Sequence, residues 1–268
     1  MSLLMAVDVG NTNIVLGIYD LEQGPRSPLD ASWRMATSRE RTVDEYGLSS
    51  LALLALRGIT AADIHHVVIS SVVPPLHPVL DGWLRTYFQL EPLWIEPGIK
   101  TGLKVLLDNP LELGADRIVN AVAGLELYGA PLIAVDFGTA TTFDIINDRR
   151  EYLGGIISPG LKISAEALFQ RASRLPRVEI TEPERLVGKS TVQAMQSGLY
   201  YGYVGLVDGI LARLLEAYPG SRVVATGGLA QVIAPASKFI QHIATDLTLE
   251  GLRILWQKNQ KPVPCQLP

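Results

Sequence analysis

Residues 4–9 and 14–19 are two apolar runs separated by the polar segment Gly10-Asn11-Thr12-Asn13. Apolar and β-branched residues on both sides of a Gly-Asn pair predict two strands joined by a tight turn. Asp8 falls near the end of the first run, where an ordinary buried strand would not hold a charge. The same pattern returns at residues 132–148. There Leu132, Ala134, Val135, Asp136, Gly138, Ile146 and Asp148 match Leu4, Ala6, Val7, Asp8, Gly10, Ile18 and Asp20 without a gap. Two copies opening two halves of one chain predict duplicated domains that face each other across a cleft.

After the first hairpin, Gly24-Pro25-Arg26-Ser27-Pro28 reads as a surface turn and residues 31–37 as a third strand. Thr42 or Asp44 caps a predicted helix that runs to about Leu56, with Leu48, Leu51, Leu54 and Ala55 at helical spacing. Residues 67–73 predict a buried strand ending at Pro74-Pro75, followed by a helix over 76–88 and a strand over 93–95. A helix over 111–128, with Leu113, Ile118, Val122 and Leu125 as its apolar stripe, closes the first half. The second half repeats the hairpin and adds a strand over 152–157 and a helix over 161–171. A long helix over 191–217 comes next, then a strand entering a glycine turn at 223–228, a strand over 240–243 and a helix over 249–256. Strand–helix alternation after an antiparallel start describes an α/β fold with mixed sheets flanked by helices. The expected domains are residues 1–128 and 129–257, with a loose tail over 258–268 that carries three prolines.

Composition narrows the function. The chain has 268 residues, 48% hydrophobic and 19% charged, ample for sizeable cores and unlike a disordered chain. A net charge of −4 without a basic run argues against nucleic acid as a partner. No basic segment precedes the first apolar run, which Asp8 interrupts, so no signal peptide is expected. The uncharged stretch over 190–207 holds Ser190, Thr191, Gln193, Gln196, Ser197 and three glycines, which reads as a packed helix and not a membrane span. Cys265 is the sole cysteine, so no intrachain disulfide forms. A cytoplasmic protein that binds no membrane is expected. His65, His66 and His77 have no spacing that joins them into a metal set and read as surface or capping residues.

The chemistry gathers at the hairpins. Asp8 can face a metal, while Gly10, Asn11, Thr12 and Asn13 offer backbone N–H groups and short polar side chains to an anion. Such a constellation suits a nucleotide: Mg²⁺ keeps much of its hydration and is held by few carboxylates. Asp136 and Thr139 hold the equivalent corner of the second copy. Asp116 lies in the first turns of a predicted helix, where the macrodipole favours an anion. Gly188-Lys189-Ser190 has a superficial likeness to a P-loop ending, but the required glycine is replaced by Pro183 and no strand leads in. No Gly-x-Gly-x-x-Gly follows a strand, which excludes a nicotinamide dehydrogenase of the doubly wound type.

The doubled Asp-x-Gly hairpin resembles the phosphate-contacting hairpins of the acetate and sugar kinase/Hsp70/actin superfamily. Asp108-Asn109-Pro110, Gly114-Ala115-Asp116-Arg117, the run from Gly154 through Gly155, Ile156, Ile157, Ser158 and Pro159 to Gly160, and Thr226-Gly227-Gly228 narrow it. Together they resemble the type III pantothenate kinases over about residues 5–257. The resemblance implies two ribonuclease-H-like, actin-like ATPase domains. It implies ATP-dependent phosphorylation of pantothenate, the first step of coenzyme A synthesis. On the same ground the ATP-binding set is Asp8, Val9, Gly10, Asn11, Thr12, Asn13, Ile14, Val15 and Thr139, with Mg²⁺ at Asp8 and K⁺ or NH₄⁺ at Asp136. Sequence by itself does not separate a K⁺ ligand from a second Mg²⁺ ligand at Asp136.

Gly114, Ala115, Asp116, Arg117 and Thr191 are implied to bind pantothenate, with Asp116 as the general base toward its primary hydroxyl. Arg117 either anchors an anionic group or pairs with Glu112 or Glu126. Thr191 either contacts substrate or caps the long helix. Thr226-Gly227-Gly228 is similar to an adenosine-side motif, or is a tight strand–helix turn. Leu107 departs from the family pattern, where a tyrosine lines the pocket. The resemblance also implies a homodimer, for which Val192, Met195, Leu199, Tyr203, Leu206 and Ile210 supply apolar surface on the long helix. The rival readings are another small-molecule kinase of the superfamily and a non-catalytic regulator on the same fold.

Overall fold

The computed structural model describes residues 2–260; Cys265 and the expected tail from residue 261 on lie outside the described residues. In chain order the strands and helices are β1 (Leu3–Val9), β2 (Asn13–Asp20), β3 (Leu29–Ala36), α1 (Val43–Ala55), β4 (Ile64–Ser71), α2 (His77–Tyr87), β5 (Leu93–Trp94), β6 (Lys104–Val105) and α3 (Ala115–Tyr128). They continue as β7 (Leu132–Phe137), β8 (Ala140–Ile146), β9 (Glu151–Pro159), α4 (Leu161–Arg171), α5 (Thr191–Ala217), β10 (Arg222–Thr226), α6 (Ala230–Ile233), β11 (His242–Ile243) and α7 (Leu247–Asn259). The residues divide into two compact units. One holds residues 2–102, 109–123 and 248–260; the other holds 103–108 and 124–247.

The first unit is a five-stranded sheet in the order β3-β2-β1-β4-β5. Strands β1, β2 and β3 form an antiparallel meander, and β4 and β5 run parallel to β1. Val7, Val9, Ile14, Leu16 and Ile18 point to one face, where they pack with Tyr46, Leu54, Leu80 and Trp83 of α1 and α2. Leu4 and Ala6 on the opposite face are also fully buried, so β1 shows no apolar–polar alternation. Thr42, and not Asp44, caps α1: its hydroxyl accepts from the Glu45 N–H, and Glu45 accepts from the Thr42 N–H at 2.7 Å, a complete capping box. Gly47 lets α1 approach α2, since a Cβ there would stand 2.3 Å from the Tyr87 ring.

On the other face, Leu249 of α7 lies against Gly17, and Gly251 lies against the Val119 carbonyl of α3. Arg253 anchors α7. Its side chain is 4% exposed and bonds Glu250 through Nη2 at 2.8 Å and Nε at 3.1 Å. It also bonds the Pro25 carbonyl and sits 5.6 Å from the Tyr19 ring centroid. The Tyr19 hydroxyl donates to the same Glu250 at 3.2 Å.

The second unit repeats the plan. Its sheet order is β11-β10-β7-β8-β9-β6, with β7, β8 and β9 antiparallel and β10 and β11 parallel to β7. Ile133, Val135, Phe137, Phe143 and Ile145 meet Tyr200, Tyr203, Val207, Leu211 and Leu214 of α5. The strand β6, which sequence does not signal, adds to the far edge beside β9. The duplication is therefore real at the level of topology, but the gapless alignment of the copies stops at the turn. Asp8 faces Val15, whereas Asp136 faces Thr142 and not Phe143, the residue aligned with Val15. The second turn is one residue tighter, and a one-residue slip exchanges the faces of every following side chain.

Of the six α5 residues expected to be surplus apolar surface, Met195 and Tyr203 are buried, and Leu199, Leu206 and Ile210 pack against their own sheet. Val192 is left exposed, as are Tyr201 and the open positions Gly198, Gly202 and Gly205. The wide amphipathic helix serves its own core first.

Arg253→Met should lower the unfolding free energy by about 3 kcal/mol, because it strands Glu250 without its partner. Urea denaturation of the single variant and of the Glu250→Leu/Arg253→Met double variant checks this, the double variant recovering most of the loss.

Candidate active site

The first turn is drawn tight by a hydrogen bond from the Gly10 N–H to the Asn13 carbonyl at 2.9 Å. Asn11 and Thr12 are exposed at its tip. Val9 and Ile14 are fully buried, so of the expected nucleotide set these two can offer only backbone. The turn is clamped from β3: the Thr37 hydroxyl donates to the Gly10 carbonyl at 2.7 Å, and the Thr37 N–H donates to the Thr12 carbonyl at 3.0 Å. Thr37 was not among the sequence candidates; nothing in its local pattern marks it.

The Asp8 carboxyl is strongly perturbed. Ser70, fully buried on β4, donates to Asp8 Oδ1 at 2.6 Å. Burial raises the Asp8 carboxyl from its ordinary 3.8 to about 6; the Ser70 bond opposes this, the negative charge of Asp116 adds to it, and the Arg34 guanidinium opposes it. Asp8 and Asp116 are thus brought into mutual electrostatic contact within one unit, from β1 and from the start of α3. Sequence reading missed Ser70, because its place beside Asp8 is set by the pairing of β4 with β1.

Asp116 is the second residue of α3, and its Oδ1 accepts from the Arg117 N–H at 2.8 Å. Gly114 makes room for this carboxylate, since a Cβ there would stand 2.6 Å from Asp116 Oδ1. Of the acids considered as partners of Arg117, Glu112 accepts from Asn109 at 2.8 Å, and Glu126 pairs with Arg150 at 2.5 Å.

In the second unit Asp136 is half-buried at the end of β7, and Gly138 and Thr139 form the exposed turn. The Thr139 carbonyl accepts from the Gly160 N–H at 3.1 Å, and a Cβ on Gly160 would strike that carbonyl at 2.2 Å. Beneath, the Tyr203 hydroxyl meets Thr141 Oγ1 and donates to the Pro159 carbonyl at 3.3 Å. Gly227, at φ +92°, would place a Cβ 2.3 Å from Asp136 Oδ1. The Thr226-Gly227-Gly228 turn is therefore packed directly on Asp136, with Thr226 beside it in the strand register.

Thr191 does not cap α5. Ser190 does, accepting from the Gln193 N–H at 3.2 Å, which leaves Thr191 exposed as the first helical residue. Thr191 lines an apolar cavity of about 520 Å³ with Leu168, Met195 and Leu199. Leu107 lies against Gly154 of β9, 3.6 Å from where a Cβ would stand. The histidines pack on aromatic rings, His66 4.9 Å from Trp256 and His77 4.3 Å from Trp94. Among the described residues no group of three His, Cys, Asp or Glu could hold a metal, and no helix is long and apolar enough to cross a membrane.

Two sheets of one topology, each ending its first strand in an acid beside a glycine turn, define the actin-like ATPase and sugar-kinase fold. Solved structures share that fold. A Sinorhizobium meliloti protein assigned as a 2-dehydro-3-deoxygalactonokinase is 13% identical, with 99% of this chain and 98% of that chain covered and a TM-score of 0.56. A conserved Campylobacter jejuni protein assigned to the Baf family of transcriptional activators is 19% identical, with 95% and 98% covered and a TM-score of 0.58. The sequence pattern of type III pantothenate kinase matches residues 4–213. Type III pantothenate kinase of Geobacter sulfurreducens is 56% identical, covering 97% of this chain and 100% of its own. That of Koribacter versatilis is 53% identical, covering 96% of each chain. The chain belongs to the type III pantothenate kinase family.

The raised Asp8 carboxyl has a consequence for stability. Held above 3.8, it keeps its proton in the folded state over a range in which the unfolded chain has lost it, so it favours folding at pH 4 and ceases to do so as pH rises through about 6. In nucleotide-free protein, Asp8→Asn should therefore be more stable than wild type by up to about 3 kcal/mol at pH 7.5, with little difference near pH 4. Denaturant melts at the two pH values check this. Gly227→Ala should cost about 1–3 kcal/mol from its left-handed backbone and overpacking. It should also lower turnover by displacing Asp136; thermal melts and steady-state rates of that variant check both.

Proposed function

We propose that this kinase transfers the γ-phosphoryl group of ATP to the primary hydroxyl of pantothenate, with Asp116 as the general base. The observation that carries the reading is the pairing of two acids of different placement: Asp8 at a strand end and Asp116 at a helix start, close enough to interact. Asp116, oriented by the Arg117 N–H and given space by Gly114, takes the proton of the attacking hydroxyl. The exposed turn of Gly10, Asn11 and Thr12 binds phosphate oxygens, with Asn13 at its end, and Thr37 fixes the turn's shape. Thr139, exposed on the second turn, is assigned to ATP as well.

A divalent cation suits Asp8. Its partners are oxygen atoms, its charge is crowded by Asp116, and no larger ligand cluster is present among the described residues. This is the donor set of a Mg²⁺ ion that keeps waters and shares phosphate oxygens. When bound, Mg²⁺ offsets phosphate charge and orients the triphosphate. Asp136, with Gly227 packed against its carboxylate, is assigned to a monovalent cation, K⁺ or NH₄⁺.

Gly114, Ala115, Asp116, Arg117 and Thr191 are assigned to pantothenate. For Thr191 the support is an uncapped, exposed hydroxyl beside an apolar cavity. The domain division proposed from the repeat is residues 1–128 and 129–257, with β6 belonging to the second sheet and α7 to the first compact unit. A homodimer is assigned to the face of α5 that its own core leaves open, where Val192 and Tyr201 flank Gly198, Gly202 and Gly205. A cytoplasmic site of action, with neither nucleic acid nor membrane bound, completes the assignment.

An ADP-release assay with pantothenate, run with and without K⁺, tests the reading. Wild type should turn over only with pantothenate present, and faster with K⁺. Asp116→Asn should lower kcat by about two to four orders of magnitude while nucleotide binding persists. Normal turnover of that variant would move the base elsewhere.

A further inference from the structure

The strand register puts another charged group on the face that carries Asp8. Ser70 of β4, Asp8 of β1, Val15 of β2 and Arg34 of β3 form one continuous row across the sheet. Residues in one row point to the same side of the pleat. Arg34 therefore shares Asp8's face with one strand between them, about 10 Å away at the backbone. An arginine side chain reaching back over Val15 spans most of that gap, and Arg34 is among the charges that Asp8 feels.

Three further features set Arg34 apart from an ordinary charge on an edge strand. It is exposed, and its guanidinium makes no hydrogen bond or ion pair among the described residues, so its donors are available. Its strand leads directly to Thr37, the residue that clamps the Gly10 and Thr12 carbonyls, so the same strand shapes the turn and presents the cation. The hairpin itself, residues 8–20, contains no lysine or arginine. A turn of backbone amides beside two acids has no fixed positive charge of its own with which to meet a polyphosphate.

We propose that Arg34 is a phosphate-binding residue, its guanidinium contacting the nucleotide's terminal phosphate oxygens at the Asp8 end of the first hairpin. The inference rests on the reading of that hairpin as the phosphate site. A guanidinium presents paired donors matched to a phosphate, which an ammonium does not. Arg34 binds and orients; it takes no part in proton transfer.

The test compares wild type, Arg34→Ala and Arg34→Lys in two measurements. The first is equilibrium binding of Mg·ATP, with adenosine as the ligand that lacks phosphates. Arg34→Ala should weaken Mg·ATP by about ten- to hundredfold, the loss of a charged hydrogen bond, and leave adenosine binding unchanged. Arg34→Lys should recover part of the difference. The second is steady-state kinetics with pantothenate: kcat/KM for ATP should fall in parallel while KM for pantothenate stays within about twofold. Unchanged Mg·ATP affinity in Arg34→Ala would overturn the proposal and leave Arg34 as an edge-strand charge. A raised KM for pantothenate with ATP unaffected would overturn it in favour of a contact to the acceptor's carboxylate. Equal weakening of ATP and adenosine would also overturn it, because the effect would then lie in the shape of the site. A wild-type protein that binds Mg·ATP but does not phosphorylate pantothenate would defeat the substrate assignment, whereas the Arg34 binding result would stand or fall by itself.

Discussion

A carboxylate drawn out of water at the end of a central strand is costly until a cation offsets it. Asp8 is such a group. The strand carrying it is covered on both faces, Ser70 supplies one hydrogen bond, and Asp116 adds a like charge. Burial first, and then the charge of Asp116, hold its carboxyl at about 6 instead of 3.8, against the opposing pull of the Ser70 bond. A protein concerned only with stability would place an apolar or amide side chain there. An acid held there supports the proposed reading of the surrounding turn as a place for magnesium and phosphate.

Much of the remaining structure in that unit serves to hold the turn still. Thr37 bonds two of its carbonyls, and the buried Arg253–Glu250 pair fixes the helix packed behind Gly17. In the second unit the corresponding work falls to Gly160 and Gly227. Each approaches so closely, to the Thr139 carbonyl and to Asp136 respectively, that no larger residue fits. The two hairpins share a topology but not a register, and so Asp8 and Asp136 meet different neighbours.

The element pattern was largely legible because apolar periodicity is a local property. The spans of α4 and α5 and the paired hairpins follow directly from it. The short strand β6 was not legible, because two residues form a strand only through an edge provided by β9. Asp8, Asp116 and Asp136 stood out as acids in positions that a core would avoid or a helix start would favour. Ser70, Thr37 and Arg34 did not, since their roles depend on strand pairings between distant segments. The capping of α5 went to Ser190 and not to Thr191 because only the residue before the first turn presents its oxygen to the free N–H groups. The face of α5 was misjudged for a related reason: six apolar positions say that a helix is buried, but not against which surface.

The most direct test of this account is a ¹³C-carboxyl NMR titration of the nucleotide-free protein, with Asp8→Asn as the assignment control. One carboxyl should titrate near pH 6, be absent from the variant, and move to lower pH when Mg²⁺ and nucleotide are added. If every carboxyl missing from the variant titrates near pH 4 in wild type, Asp8 is an ordinary solvated acid and the account of the site is wrong.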